Sequence, residues 1–463
     1  MTDGKRVHFV TLGCPKNEVD SEVMLGVLAR QGHSFALDPE DADVLVVNTC
    51  AFLQASKEES IAAILDAARV KAGREGRRLV VTGCLAQRYA DDLRTSLPEV
   101  DVFVGTGDLL RIADAVAAPP AAGPVVYRGA HHVLPAHAVS PRLRAGAWWT
   151  AYLKVSEGCD HTCSFCIIPK IRGRHESRPM EDVLAEAESL VAGGAVELNL
   201  VAQDLTAYGR DLPGDVSLAQ LLRALALRVP QARWLRLLYA YPSSVTDALL
   251  EVIGDEPAVC RYLDMPLQHI SDRMLRAMRR ERTGAAVRRL LAHIRTAVPG
   301  IALRSAFIVG FPGETDDDVR ELCDFLEETE FERVGVLRYS REEDTVAATL
   351  PGQLPERVKQ ARWERVMTVQ AAVAARRARA QMGRVVHVLV EREDADGRLV
   401  GRTSTQAPEI DGEIRLVGRA APGDLVRARV TGAETYDLDA EIVPDHVDRP
   451  PDAPYIARPG RPS

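Results

Sequence analysis

The first 118 residues alternate short apolar runs with amphipathic segments. Four runs have the length of strands: residues 6–12, 43–48, 78–82 and 100–104. Three segments between or after them have helical spacing: residues 19–31, 57–72 and 108–117. Such alternation predicts βαβ units and a parallel sheet. Residues 119–147 are rich in Ala and Pro and have little periodicity, which is typical of a linker.

The alternation resumes near residue 148 with longer units. Six runs predict strands at residues 152–155, 196–201, 234–239, 262–265, 303–309 and 334–339. Helical spacing recurs at residues 180–192, 218–227, 272–279, 284–298 and 316–328. Six consecutive βα units predict a partial or full α/β barrel. Residues 355–382, which are rich in Ala and Arg, predict one long helix.

After Gly383 the apolar period changes to two. Residues 385–390, 413–417, 425–430 and 437–443 predict short strands separated by turns, as in a small β-barrel. The tail is rich in Pro, Arg and Asp, a composition typical of disorder. The predicted division is therefore an α/β domain, a linker, a barrel domain, a small β-barrel and a disordered tail: 1–118, 119–147, 148–378, 379–446 and 447–463.

Length and charge narrow the class of protein. A chain of 463 residues is too long for one core, and its net charge of -8 argues against a protein that coats nucleic acid along its surface. The N-terminal sequence MTDGKRVHFVTLGC lacks a secretion signal, and no apolar stretch is long enough to span a membrane. We therefore expect a cytoplasmic protein with no membrane partner. Disulfides are rare in that compartment, so clustered cysteines are better candidates for metal ligands.

The most specific motif is CxxxCxxC, formed by Cys159, Cys163 and Cys166. It follows a predicted strand and ends at Pro169, on the face where active sites of α/β barrels gather. Three thiolates can hold three corners of a four-iron cluster and leave one iron open to a small molecule. A zinc site with His161 as fourth ligand is the alternative.

Three further cysteines share one position in their βα units. Cys14, Cys50 and Cys84 each end a predicted strand and begin the turn into a helix. In a parallel sheet these turns meet at one edge, and helix N-termini there favour thiolates. The repetition predicts a second cluster, with three buried core cysteines as the alternative. Cys260 and Cys323 stand alone in apolar or helical surroundings and are predicted to be core residues.

Residues 156–166 (SEGCDHTCSFC) resemble the signature of the radical S-adenosylmethionine superfamily. The order of strand-end cysteines, CxxxCxxC barrel and small β-barrel resembles that of the methylthiotransferases. The resemblance implies a flavodoxin-like parallel-sheet domain, a partial TIM-type radical barrel and a C-terminal TRAM domain of the OB type. It also implies two 4Fe–4S clusters with S-adenosylmethionine. Cys159, Cys163 and Cys166 would bind the radical cluster, and Cys14, Cys50 and Cys84 the auxiliary cluster that carries the inserted sulfur.

Two branches of that family differ in substrate. Residues 13–22 (GCPKNEVDSE), 262–269 (YLDMPLQH) and 407–412 (APEIDG) resemble the branch that modifies an aspartate of small-subunit ribosomal protein S-twelve. That branch usually has Leu where this chain has Glu18. The other branch modifies an adenosine beside the tRNA anticodon and typically has Gln-Met-Asn after the first cysteine.

The charge of the predicted C-terminal barrel is independent of these motifs. Residues 380–446 contain 13 acidic residues against eight arginines and no lysine. An OB-type barrel that grips RNA normally presents a positive groove, whereas an acidic one suits a basic ribosomal protein. A merely solvated acidic surface is the alternative.

The resemblance implies replacement of a C–H bond on the aspartate β-carbon by C–SCH3. A side-chain base is too weak to remove such a hydrogen, so radical chemistry is needed. The implied partners are ribosomal protein S-twelve, an electron donor such as flavodoxin or ferredoxin, and a sulfur donor. Gln203 and Glu314 are candidate S-adenosylmethionine contacts, with surface or capping roles as the alternative. The competing functions are tRNA methylthiolation and a non-catalytic zinc or RNA-binding protein.

Overall fold

The computed structural model describes residues 4–118, 123–129 and 142–448. The N-terminal part is a six-stranded, fully parallel sheet in the order β2-β1-β3-β4-β5-β6. Its strands are β1 (Arg6–Thr11), β2 (Ser34–Phe35), β3 (Val44–Thr49), β4 (Arg78–Gly83), β5 (Val102–Val104) and β6 (Val125–Tyr127). Its helices are α1 (Pro15–Arg30), α2 (Gln54–Ala72), α3 (Cys84–Ser96) and α4 (Ile112–Ala117). The order of the first five strands is that of flavodoxin-like folds, as predicted.

Two local predictions for this domain need correction. β6 lies inside the predicted linker and pairs with β5, because a three-residue apolar run is too short to stand out from its surroundings. α1 begins at Pro15, four residues before the predicted start, because proline is well suited to the first helical turn. The helix start was missed because the residues of that turn are polar and show no apolar periodicity. Lys16 and Asn17 are nevertheless buried.

The central part is an open parallel sheet whose six long strands follow one another in chain order. They are β7 (Thr150–Lys154), β10 (Glu197–Val201), β11 (Trp234–Leu237), β12 (Val259–Asp264), β13 (Ala302–Val309) and β14 (Arg333–Arg338). Two short strands, β8 (Ser156–Glu157) and β9 (Glu176–Ser177), pair across the base of the cysteine loop. The predicted partial barrel is thereby confirmed as a half-barrel of six strands.

Helices cover the outer face of this half-barrel. Besides α5 (Ile168–Arg172), which packs against the N-terminal domain, and α9 (Asp272–Ala277), whose Met274 lies in a separate small cluster, they are α6 (Met180–Ala192), α7 (Leu218–Arg228), α8 (Asp247–Asp255), α10 (Gly284–Ala297) and α11 (Asp316–Thr329). Their apolar faces and one set of strand side chains form the largest hydrophobic core. The alternate strand residues, such as Tyr152 and Tyr262, pack with side chains of the N-terminal domain and the C-terminal barrel. The open side of the half-barrel is therefore closed by the other two domains.

The long helix α12 (Glu356–Arg379) leads into a closed five-stranded barrel in the order β15-β16-β17-β19-β18. Its strands are β15 (Val385–Glu393), β16 (Leu399–Thr403), β17 (Ile414–Val417), β18 (Leu425–Ala433) and β19 (Leu438–Asp448). This confirms the predicted OB-type barrel. β19 includes the first two residues of the predicted disordered tail, and residues 449–463 lie outside the described part of the chain.

Buried ion pairs join the C-terminal barrel to the half-barrel. Glu197 on β10 lies 3.0 Å from Arg236 and 2.6 Å from Arg402 on β16, and all three side chains are almost fully buried. Burial alone would raise the pKa of Glu197, but the two guanidinium groups hold that pKa near 2. The carboxylate therefore stays charged and links the two domains.

Asp411 forms a second link between these domains. Its carboxylate accepts a hydrogen bond from the Tyr262 hydroxyl at 2.7 Å and lies 3.4 Å from Arg304. Asp411 is buried, so it is not part of an acidic outer surface. Two segments that resemble the ribosomal-protein branch, 262–269 and 407–412, thus meet at one interface.

The two cysteines outside the triads agree with expectation. Cys260 and Cys323 are buried at 3% and 6% exposure, as predicted for core residues. No helix in the described part of the chain is both long enough and apolar enough to cross a bilayer.

Replacing Arg402 with Met should weaken the C-terminal interface. Glu197 would lose one of two cations while remaining buried, which costs about 3 kcal/mol of unfolding free energy. Arg392→Met is the matched control in the same barrel, because its ion pair with Glu413 is half exposed and should cost less than about 1 kcal/mol. Urea unfolding measures both variants. Equal shifts would contradict a structural role for the buried pair.

Candidate active site

The sheet of the N-terminal domain brings Cys14, Cys50 and Cys84 to one edge. They follow β1, β3 and β4, which are neighbours in the sheet. Gly13 has a φ of +92°, and a Cβ there would lie 2.9 Å from the Cβ of Cys50. A glycine is therefore required for the first cysteine loop to approach the second.

Burial and mutual repulsion raise the pKa values of two cysteines in this triad. Burial raises the pKa of Cys84 to about 12, and repulsion from Cys50 and Cys14 thiolates adds to the effect. Burial likewise raises the pKa of Cys50. Arg172 opposes these effects, since its guanidinium lies 3.3 Å from the sulfur of Cys84. The triad thus needs cationic partners, either protein or metal, to hold its thiolates.

The second triad lies on the loop between β8 and α5. Gly158 has a φ of +76°, and a Cβ there would lie 1.9 Å from the carbonyl oxygen of Arg174. The Cys159 amide donates to the Gly173 carbonyl at 3.1 Å, which closes the loop at its base. Burial raises the pKa of Cys159 to about 11, with added repulsion from Cys163.

Cys166 and Cys163 complete this triad. Burial raises the pKa of Cys166 to about 12, and both other cysteines of the loop contribute repulsion. The guanidinium of Arg280 lies 3.5 Å from the sulfur of Cys163 and 4.1 Å from the centre of the Tyr241 ring. Each triad therefore has one arginine against one of its sulfurs.

His161 has partners other than a metal. Its ring stacks on Tyr241 with centroids 3.5 Å apart, and its Nε2 lies 2.7 Å from Asp204. Among the described residues, no three His, Cys, Asp or Glu side chains converge closely enough to hold a single metal ion. One Zn²⁺ needs all its ligands within about 2.3 Å, whereas the thiolates of a four-iron cluster bind different irons. Both triads therefore suit clusters better than single zinc ions.

A buried network of two acids and two bases lies between the triads. Lys154 at the end of β7 binds Asp20 of α1 and, at 2.6 Å, Glu157. Arg172 binds the same two carboxylates at 2.7 and 3.2 Å and also contacts Cys84. Burial alone would raise the pKa of Glu157, but Lys154 and Arg172 hold that pKa well below its usual value. The network therefore stays charged. It joins helix α1, which follows Cys14, to both ends of the loop that carries the second triad.

Gln203 and Glu314 occupy different environments. Gln203 donates to Glu157 of the buried network, and its own carbonyl oxygen is buried without a partner among the described residues. Glu314 accepts from the Gly310 amide at 2.7 Å and from Arg362 at 2.8 Å, so it supports the turn after β13. Contact of either residue with S-adenosylmethionine stays a prediction.

The sequence-based reasoning missed the charged residues between the triads. A signal was present, since Lys154 is a charged residue in an otherwise apolar strand and Lys16 directly follows the first cysteine and a proline. Nothing in the sequence, however, pairs Asp20 with Lys154 across 134 positions. Likewise, nothing in the sequence indicates that Arg280 and Tyr241 lie beside Cys163, because the folding of the half-barrel brings them there.

Three known families match consecutive parts of the chain. Residues 6–105 match the uncharacterized protein family UPF0004, residues 153–326 match the Radical SAM superfamily, and residues 382–443 match the TRAM domain. Among solved structures, the chain resembles the radical S-adenosylmethionine methyltransferase TsrM from Kitasatospora setae, with a TM-score of 0.51 and 18% identity over 72% of each chain. It also resembles the cobalamin-dependent S-adenosylmethionine radical enzyme OxsB, with a TM-score of 0.51 and 14% identity. OxsB is matched over 80% of this chain and 56% of its own. These two likenesses concern the fold alone.

Relatives of known name are much more similar. The ribosomal protein uS12 methylthiotransferase RimO of Geobacter sulfurreducens is 49% identical over 95% of this chain and 99% of its own. The protein of the same name from Anaeromyxobacter sp. (strain Fw109-5) is 52% identical over 97% of this chain and 96% of its own. By this full-length similarity, the chain belongs to the RimO family of ribosomal protein uS12 methylthiotransferases, within the Radical SAM superfamily.

Proposed function

We propose that this enzyme replaces one β-hydrogen of an aspartate in ribosomal protein uS12 with a methylthio group. This is the S-twelve protein expected from the sequence. The observation that carries the proposal is the pair of cysteine triads on either side of one buried charged network. A second cysteine triad beside the radical triad suits insertion of sulfur, which radical generation alone does not require.

In this proposal Cys159, Cys163 and Cys166 hold the radical 4Fe–4S cluster, and Cys14, Cys50 and Cys84 hold the auxiliary one. When bound, the clusters and S-adenosylmethionine supply the radical that removes the hydrogen and the methylated sulfur that replaces it. The triads fit this role because the six thiols form two clusters, each with one glycine-shaped loop, at Gly13 or Gly158, and with an arginine against one of its sulfurs. Thiols whose pKa is raised by burial become thiolate ligands only when a metal compensates the charge.

The remaining residues orient these groups and exclude water. The network of Asp20, Lys154, Glu157 and Arg172 fixes helix α1, which follows Cys14, relative to the loop that carries Cys159, Cys163 and Cys166. Asp204 holds His161 against Tyr241, which gives the radical loop an aromatic wall. The buried carbonyl oxygen of Gln203 is a free acceptor for a donor group of S-adenosylmethionine, such as its ammonium group or a ribose hydroxyl.

The C-terminal barrel favours a protein substrate over RNA. Glu393, Asp396 and Glu413 are exposed on its surface, and the barrel as a whole is acidic. Asp411 does not contribute to this surface, because it serves the interface with Tyr262. A moderately acidic surface attracts a basic ribosomal protein and repels the phosphates of tRNA.

The reaction implies two further partners and a cellular location. Cleavage of S-adenosylmethionine consumes an electron, so we propose a donor such as flavodoxin or ferredoxin. Each turnover also consumes one sulfur, so a sulfur donor must restore it. We propose that the enzyme acts in the cytoplasm, where ribosomal proteins are assembled.

The decisive assay offers both substrates to the reconstituted enzyme. Anaerobic incubation with S-adenosylmethionine and a reductant should add one methylthio group in place of one hydrogen to purified uS12 and leave tRNA unchanged. Mass spectrometry of both substrates measures the result. Modification of tRNA but not of uS12 would overturn the choice of substrate.

Replacing each cysteine triad with alanine should separate two activities. The wild type should hold about eight irons, and either triple variant about four. Cys159/Cys163/Cys166→Ala should lose 5′-deoxyadenosine formation, whereas Cys14/Cys50/Cys84→Ala should keep it and lose methylthiolation. Iron analysis and chromatography of the nucleoside measure these results. Cys323→Ala is the control and should keep all the iron, since that thiol is a core residue.

Arg172→Met should change the redox properties of the auxiliary cluster. A hydrogen bond and a positive charge at a ligand sulfur stabilise the reduced cluster, so removing them should lower its reduction potential by tens of millivolts, roughly. A redox titration followed by electron paramagnetic resonance measures the shift. The exposed Arg174→Met is the control and should leave the potential unchanged. A change in the reduction potential of the radical cluster alone would contradict the assignment of Arg172 to the auxiliary cluster.

A further inference from the structure

Lys16 is a buried cation without an acidic partner. It lies in the first turn of α1 and is 7% exposed. Its ammonium group contacts the Ala202 carbonyl oxygen at 3.4 Å and lies 3.2 Å from the centre of the Tyr239 ring. Among the residues that the structure describes, no carboxylate forms an ion pair with Lys16. Buried charges in proteins are normally paired, so this ammonium group lacks a counter-charge.

The aromatic partner of Lys16 is held in a strained conformation. Tyr239 has a φ of +67°, which is rare for a bulky aromatic residue. Its amide donates to Asp264 at 3.1 Å, and its carbonyl accepts from the Leu205 amide at 3.0 Å. These bonds hold the ring over the ammonium group. Strain of this kind persists where a site requires a particular side-chain position.

The position of Lys16 relates it to both cysteine triads. Cys14 lies two residues before it, at the start of the same helix. On the opposite side, Ala202 directly precedes Gln203, which reaches the buried network, and Asp204, which holds His161. Lys16 therefore follows the first cysteine of the auxiliary triad along the chain, and its ammonium group contacts the segment that supports the radical triad.

We propose that Lys16 binds the carboxylate of the target aspartate and thereby sets both its position and the specificity for an acidic side chain. This inference rests on the proposed function. The carboxylate carbon is bonded directly to the β-carbon that reacts. An ion pair between this carboxylate and Lys16 therefore also fixes the position of the β-carbon. The ring of Tyr239 limits the directions from which a carboxylate can approach. An uncharged substrate group at this position leaves the buried ammonium group without a counter-charge.

A purely structural role for Lys16 makes a different prediction. If the side chain only fills the space between α1 and Tyr239, methionine, which has similar length and packs well on aromatic rings, should replace it without effect on substrate choice. If the charge matters, Lys16→Met should bind substrate poorly although the fold is intact. Lys16→Arg keeps the charge and should retain part of the affinity.

The test measures binding of two substrates by the reconstituted enzyme. The substrates are purified uS12 and a uS12 variant whose target aspartate is replaced by asparagine. Titration calorimetry of wild type, Lys16→Met and Lys16→Arg gives each affinity, and methylthiolation assays give kcat and KM. Lys71→Met is the matched control, because Lys71 in the same domain already has Asp101 as its partner. Iron content and uncoupled 5′-deoxyadenosine formation check that both clusters remain.

We expect wild type to prefer the aspartate substrate by about 30-fold or more, the usual effect of unpairing a buried charge. Lys16→Met should lose this preference through weaker binding of the aspartate substrate, with a raised KM and unchanged iron content. A Lys16→Met variant that still prefers aspartate to the same degree would overturn the assignment. Failure of the proposed function itself would appear separately, as wild type that forms no methylthiolated uS12, and it would remove the basis of this inference too.

Discussion

The ion-pair network of Asp20, Lys154, Glu157 and Arg172 is the constraint on which the arrangement of the active site depends. Two acids and two bases neutralise one another in a place that water does not reach. Removing any one of them leaves a buried charge unpaired, which typically costs 3–5 kcal/mol, roughly. Asp20 belongs to the N-terminal domain and the other three to the half-barrel, so the network penalises separation of the two domains.

A second set of buried ion pairs stabilises the same interface between the N-terminal domain and the half-barrel. Arg142 lies 2.6 Å from Glu186 on α6 and donates to Glu22 on α1 at 3.0 Å. Helix α1 is thus held at Asp20 and Glu22, next to the turn that begins with Cys14. Such preorganisation suits a reaction in which a reactive radical must meet its target at a fixed distance and away from water. The clusters supply the chemistry, and the buried charges determine where it takes place.

The sequence predicted the parts of this enzyme that depend on local pattern. Strand-end cysteines, the half-barrel, the small β-barrel and family membership are confirmed, because periodicity and motif spacing are local properties. The long-range charge network was not predicted, since no local signal pairs Asp20 with Lys154. The burial of Asp411 was not predicted for a related reason: composition counts charges but does not distinguish an exposed carboxylate from one buried against Tyr262. Strand β6 was missed because three apolar residues carry too little periodic signal.

X-ray diffraction from crystals of the anaerobically reconstituted enzyme, with data at the iron and zinc absorption edges, tests this arrangement most directly. Anomalous maps should show two iron clusters, one within Cys14, Cys50 and Cys84 and one within Cys159, Cys163 and Cys166. The four charged side chains of the network should lie between them. Zinc at either triad, or iron at one triad alone in fully active enzyme, would contradict the account.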